Sequence, residues 1–311
     1  MSRAHARGVA AALVLDAAFG EPPEHLHPTV WMGRATSAYA RGALRLKSPE
    51  ARRGAGIVLA VALPGLVWLT ARAALSVAPK RLRWALGAAL TSTALSLRGL
   101  ARAAEAVERE LDEGRLGDAR ARVGEFVGRD TAGLSEAEVC RAAVESVAEN
   151  TSDGVVAPML YGLLFGPSGA LAYRAVNTLD SMVGYRRGPY AELGWASARL
   201  DDLANLIPAR ATVLVAAALS GRPGATLRTA SEYGPRASSP NAGWTEAAFA
   251  GALGVRLGGP NTYGGVTREG PVLGEGPPPG RPDIGRAVVL MRRCCVLLAV
   301  AGFLAGEARG G

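Results

Sequence analysis

The sequence predicts an all-α fold, a polytopic helical membrane bundle carrying a small soluble helical insert. Three observations carry this expectation. Apolar residues fill 49% of the 311 positions and gather in blocks, with a mean hydropathy of +0.15. The blocks are rich in Gly and Ala and end in Arg or Trp, as closely packed helices do at a bilayer surface. No stretch alternates apolar and polar residues long enough to read as a strand.

Taken in order, Gly8–Leu15 follows Arg3 and Arg7 and imitates a signal peptide. Asp16 interrupts it, and Gly20–Pro23 turns the chain without a clean cleavage site, so a retained first helix is expected. Ile57–Ala71 is uncharged, and Trp84–Leu97 lies between Arg83 and Arg98. Both are shorter than the roughly 20 residues a span needs, so each reads either as a span or as a buried core helix. Arg98–Gly114 and Leu116–Val127 are charged helices, and Ser135 with Glu138 forms a capping box that starts a third toward Glu149. These three make the soluble insert, about 98–150. Val155–Tyr173 is the next apolar block. A helix from near Leu203 continues through Ala211–Ser220, and Pro208 within it frees the carbonyl of Ala204.

Ser220–Ser239 is a connector broken by Gly and Pro, and Asn241–Leu257 is helical in pattern. Residues of about 258–283 form an exposed Gly/Pro-rich loop. Ala287–Gly306 is the last apolar helix; Arg292 and Arg293 inside it either snorkel, face a polar cavity or mark the start of a shorter span. No repeat is evident. The chain reads as one membrane-embedded domain over 1–311.

Composition narrows the function classes. The net charge is +8, and Lys47 and Lys80 are the only lysines among 35 basic residues. Arginine is the fork-shaped donor for phosphate and carboxylate. The basic residues form no stripe interleaved with aromatics, which argues against nucleic acid and for membrane lipid or a phosphorylated substrate. Cys140, Cys294 and Cys295 form no CxxC pair, and His5, His25 and His27 are the only histidines. A disulfide framework, a zinc site and a Ser/His/Asp triad are all disfavoured. Neither a P-loop nor a GxGxxG fingerprint occurs, so any nucleotide is held by arginines and Mg²⁺.

The segment from Glu145 to Arg210 sets ions against apolar runs, which costs several kcal/mol per ion unless the charge is paired or works on a ligand. Glu145, Glu149 and Asp153 step by four, and on a helix they share a face. Such a face suits Mg²⁺ or an arginine partner, or else is a solvated surface. Arg174, Asn177 and Asp180 form a polar stripe that either handles substrate or braces helices, and Arg186 follows it. Arg199, Asp202 and Asn205 form another, with Asp201 adjacent; the acids either cradle Mg²⁺ or pair with Arg199 at i,i+3. Ser239 or Asn241 caps the helix that carries Glu246 in its first turn, and its amides either hold an anion or are simply capped.

Several ordered motifs remain: Leu15-Asp16, Gly20-Glu21-Pro22, His27-Pro28, Met32-Gly33, Gly128-Arg129-Asp130-Thr131, Glu145 through Gly154, Tyr173 through Met182, Gly184-Tyr185-Arg186, Ser197 through Asp202, Ile207 through Arg210, and Ser239 through Trp244 with Glu246. Together they resemble the adenosylcobinamide-phosphate synthase family of cobalamin biosynthesis, the CobD/CbiB family. The resemblance covers nearly the whole chain. It departs at Glu21, where Asp is usual, at Thr245, where Pro is common, and before Ser239, which lacks a basic, His-containing lead-in.

The resemblance implies a multi-pass protein of the cell (inner) membrane. It implies amide ligation of adenosylcobyric acid with (R)-1-amino-2-propanol O-2-phosphate, giving adenosylcobinamide phosphate, and contact with other membrane-bound enzymes of the corrinoid pathway. The corrinoid is then substrate, not cofactor. Amide formation in water needs activation, so ATP and Mg²⁺ are expected, by an acyl-phosphate route. Asp153, Asp180, Asp201 and Asp202 are assigned to metal. Arg174, Arg186 and Arg199 are assigned to phosphate, and Glu145 or Glu149 to the amine proton, with Asp153 and Asp180 in the catalytic set. The matched motifs add Arg129, Asn150, Ser152, Asn177, Asn241, Glu246 and His27 as substrate-binding residues. The competing reading is a transporter or membrane scaffold with polar stripes along a path; the inverted symmetry that would favour it is not found.

Overall fold

The computed structural model describes residues 2–185 and 188–308. In chain order the helices are α1 (Arg3–Phe19), α2 (Pro28–Ala43), α3 (Pro49–Val77), α4 (Lys80–Ser92), α5 (Leu97–Asp112), α6 (Leu116–Gly124) and α7 (Glu136–Asn150). A π-helical turn, Thr151–Val156, joins α7 to α8 (Ala157–Val183), followed by α9 (Trp195–Ala204), α10 (Leu206–Leu219), α11 (Pro223–Tyr233) and α12 (Ala242–Leu253). Four short strands follow, β1 (Leu257–Gly258), β2 (Asn261–Tyr263), β3 (Val266–Arg268) and β4 (Val272–Leu273), before α13 (Arg281–Ala308).

The fold is all-α as the apolar blocks imply. Among the described residues, three helical stretches are long and apolar enough to cross a membrane: Pro49–Val77, Glu136–Val183 and Arg281–Ala308. The bent pair α9 and α10 makes a fourth if it counts as one span. The Trp84–Leu97 block does not join them, because α4 has 13 residues and reaches about 20 Å of a hydrocarbon core about 30 Å thick.

The chain folds as two compact units, each assembled from separate stretches. One comprises Met1–Ser96, Ala157–Asn205 and Ala299–Gly311, and the other Leu97–Val156 and Leu206–Leu298. The 98–150 stretch, expected as an insert, therefore shares its unit with α10, α11, α12, the strands and most of α13.

The first unit centres on a core that includes Leu59, Leu63, Leu171, Leu179, Val183 and Leu193. Helix α3 lies close to the α8–α9 connection because Gly56 has no side chain. A Cβ there would sit 2.8 Å from the carbonyl carbon of Leu193 and closer still to its oxygen. Gly56→Ala is expected to lower stability by about 1–3 kcal/mol, the usual cost of overpacking. The readout is the Tm of the purified protein, and an unchanged Tm would refute this tight contact.

In the second unit, α5 buries Leu97, Leu100, Ala101, Ala104, Val107 and Leu111 at helical spacing. The capping box forms as expected: Ser135 Oγ accepts from the Glu138 amide, and Glu138 Oε2 accepts from the Ser135 amide at 2.7 Å. Arg292 finds an ionic partner, Glu105 on α5, at 2.7 Å. The 258–283 stretch is more ordered than an exposed loop. Strands β1 and β4 pair antiparallel, as do β2 and β3, and the facing residues Leu257 and Leu273 are buried. Strands of two or three residues are too short for an alternation to show in the sequence.

Candidate functional site

In the second unit, α7, the start of α12 and the strand loop surround a cavity of about 430 Å³. Arg129, Glu145, Glu149, Ser239, Glu246 and Arg268 are among its lining residues. Glu145, on α7, is buried at 3% exposure. Arg129 Nη2 lies 2.6 Å from its Oε2, and the Gly258 amide donates to its Oε1 at 2.6 Å. Arg129 Nη1 also donates to Asn261 Oδ1 at 2.7 Å, tying the loop to the pair. Arg141, one turn before Glu145, donates to the carbonyls of Gly258 and Pro260. A buried charge pair of this kind is favourable only with additional hydrogen bonds, which the loop supplies.

Glu246 lies in the second turn of α12, one turn further in than the sequence reading put it. Desolvation pushes its carboxyl well above the usual range; the charges of Glu145 and Glu149 push the same way, against Arg129 and Arg141. A raised carboxyl binds its proton more tightly in the folded state. Stability from this group is therefore lost as pH rises from the unfolded value, about 4.3, toward the raised folded one. Glu246→Gln is expected to flatten that decline in a Tm-versus-pH series; a wild-type slope in the variant would refute the assignment.

Ser239 provides the cap at α12: its Oγ accepts from the amides of Asn241 at 3.3 Å and Ala242 at 3.2 Å. Asn241 instead accepts from Arg210 Nη1 at 2.8 Å. Asn150 donates to the Ser146 carbonyl at 3.0 Å, and Ser152 buries its hydroxyl without a hydrogen-bond partner among the described residues. Asp153 stands half-buried in the π turn. Such turns concentrate at functional sites, and the α-periodic reading did not anticipate this one.

The first unit gathers the remaining motif residues at helix ends. His27 caps α2 by accepting the Thr29 amide on Nδ1 at 3.1 Å, which leaves Nε2 facing Glu21 at 3.5 Å. The hydrogen bond from His27 holds the Glu21 carboxyl below its usual range, with further pull from Arg174. Arg174 donates to Ser96 Oγ at 2.7 Å and to Asn177 Oδ1 at 3.4 Å. Asn205 donates to Asp201 Oδ2 at 3.0 Å and accepts from the Tyr173 hydroxyl at 2.7 Å. Asp180 and Asp202 lie within electrostatic reach of Asp201. Helix α9 ends at Asn205, and the freed Ala204 carbonyl accepts the Tyr161 hydroxyl at 3.1 Å. Tyr173→Phe leaves a buried amide oxygen without its donor. The expected cost is about 1–3 kcal/mol, measured by denaturation, and an unchanged midpoint would refute it.

The structure thus brings Arg129, Glu145, Glu149 and Glu246 together in one unit. In the other it brings together His27, Arg174, Asn177, Asp180, Asp201 and Asp202. Arg199 is exposed and pairs with Asp202 at 3.5 Å, the i,i+3 alternative. Arg186 lies outside the described residues. The sequence reading missed Arg141, Asn261 and Ser96 as partners. The i,i+4 spacing of Arg141 to Glu145 was a usable signal, and the Gly-rich loop around Asn261 a weak one. Among the described residues, no three His, Cys, Asp or Glu side chains are grouped to hold a metal ion by themselves.

A family model described as CobD/Cbib protein matches residues 9–291. The chain belongs to this family. Within the CobD/CbiB family it is similar to "Cobalamin biosynthesis protein CobD" of Klebsiella pneumoniae subsp. pneumoniae, 45% identical over 85% of each chain. It is 47% identical to the protein of the same name from Geobacter metallireducens, over 86% of each chain. It is 41% identical to "Cobalamin biosynthesis protein CbiB" of Salmonella typhi, over 95% of each. No solved structure matches the chain. Family membership accords with a biosynthetic enzyme of the cobalamin route.

Proposed function

We propose that the protein is a ligase of the cell's inner membrane that joins adenosylcobyric acid to (R)-1-amino-2-propanol O-2-phosphate through an amide bond. The observation that carries this reading is the buried Arg129–Glu145 pair in the wall of a polar cavity of about 430 Å³. A cavity of that size suits the aminopropanol phosphate and one carboxylate arm, with the corrinoid ring held outside it. Arg129 and Arg268 offer forked donors to phosphate and carboxylate oxygens. Glu145 is engaged by Arg129 and the Gly258 amide. Glu149 lies on the same wall and is assigned to take the proton the amine loses as the C–N bond forms.

ATP with Mg²⁺ would supply the activation of the carboxylate as an acyl phosphate, whose phosphate leaves as the C–N bond forms. Asp180 and Asp201 suit the cation: Oδ1 of Asp201 is buried with no hydrogen-bond partner among the described residues, an acceptor fit for Mg²⁺. Mg²⁺ ordinarily takes one or two carboxylates together with phosphate oxygens and water, so no all-protein cage is needed. Asp202, in the same unit, is the further carboxylate assigned to it, and Arg174 is assigned to phosphate; Asp153, in the second unit, is a separate metal candidate.

The test supplies the purified full chain with adenosylcobyric acid, the aminopropanol phosphate and Mg-ATP, and seeks the amide product by mass. Wild-type product and its loss in Glu149→Gln are expected. Absence of product with an intact, folded wild type would overturn the reading.

A further inference from the structure

We propose that the first unit carries a binding site for one anionic phospholipid, apart from the ligase site. A cavity of about 350 Å³ opens between α1, α4 and α8. Gly8, Val9, Leu75, Gly87, Ala88 and Pro167 give it an apolar wall, and Lys80, Arg83, Trp84 and His5 also line it.

Position and charge identify the ligand. Helix α3 is apolar enough to cross a membrane and ends at Val77; Lys80, Arg81, Arg83 and Trp84 follow within seven residues. Basic and indole side chains directly after a span mark the head-group layer. Among the described residues Lys80 has no ion-pair partner, and Arg83 donates to the carbonyls of Ser76 and Ala78 without meeting a carboxylate. The positive charge at the mouth thus meets no carboxylate among the described residues. His5 lines the same cavity, with its Nδ1 buried and without a hydrogen-bond partner among the described residues. A phosphodiester at the mouth would meet Lys80 and Arg83 while an acyl chain entered the apolar slot. A soluble phosphate would leave that slot empty.

The cavity also provides its own control. A Cβ on Gly8 meets nothing within 4 Å, so Gly8→Leu adds bulk at the wall of the slot and leaves every charge in place. Lys80 is exposed, so Lys80→Glu reverses the charge at the mouth without touching the core.

The experiment is native mass spectrometry of the full chain in a zwitterionic detergent, with dioleoylphosphatidylglycerol or dioleoylphosphatidylcholine added and Tm recorded for each variant. Wild type is expected to retain one phosphatidylglycerol in preference to phosphatidylcholine. Lys80→Glu is expected to weaken that binding at least about fivefold at unchanged Tm, since one basic residue near anionic lipid is worth about 1 kcal/mol; Gly8→Leu, which narrows the slot, is expected to weaken it at unchanged Tm. Equal retention of the two lipids, unchanged binding in the variants, or displacement by inorganic phosphate would each overturn the proposal. None of these readouts depends on ligase activity.

Discussion

Asp180→Asn is expected to abolish amide formation, a loss of at least about 10²–10³-fold, the usual scale for removing one preorganised electrostatic group. Asp180 lies within electrostatic reach of Asp201, whose Oδ1 is buried without a hydrogen-bond partner among the described residues. An amide in its place keeps the shape and removes the charge. Gly184 is backed directly onto the Asp180 carboxylate, so the site has no room for the side chain to move toward it. Membrane insertion should be intact, because α8 keeps its apolar face. Asp153→Asn, in the π turn, is expected to behave likewise. The measurement is product mass per unit of membrane-extracted protein. Wild-type turnover in either variant would remove that residue from the metal set.

Glu145→Ala is expected to cost about 3–5 kcal/mol of stability, because it strands a buried guanidinium. Arg129 would retain Asn261 but lose the carboxylate at 2.6 Å, and the Gly258 amide would lose its acceptor. Arg129→Ala with Glu145→Ala should cost less than the two single changes summed, since the double variant strands neither member of that pair; Arg141 loses Glu145 in the single and the double variant alike. Denaturant titration of the three variants gives the coupling. Strict additivity would show that the pair is not a unit.

The local signals were the legible ones. Ser135 and Glu138 announce a helix start because both partners lie within one turn. Pro208 announces a break because it lacks the amide, and the freed carbonyl of Ala204 is found taking the Tyr161 hydroxyl. Clustering of acids and arginines beside apolar runs pointed to Glu145, Arg174 and Asp201. Their partners were not legible. Glu145 meets the Gly258 amide across 113 residues, and no period or spacing encodes a contact made only when distant segments pack. The π turn escaped for a different reason: a turn that hydrogen-bonds i to i+5 uses the same residue types as the α-helix around it.

The unit that contains α1 also contains the last part of α13. Arg7 and Glu307 form a two-pronged bridge, at 2.7 and 3.1 Å, across 300 residues. During translation the first helix therefore emerges long before its partner exists. Closing so long a loop carries an entropic penalty, and contacts of this separation slow folding. A nascent chain halted before residue 299 would leave α1 without that clasp, so the contact between α1 and α13 forms only after α13 has left the ribosome.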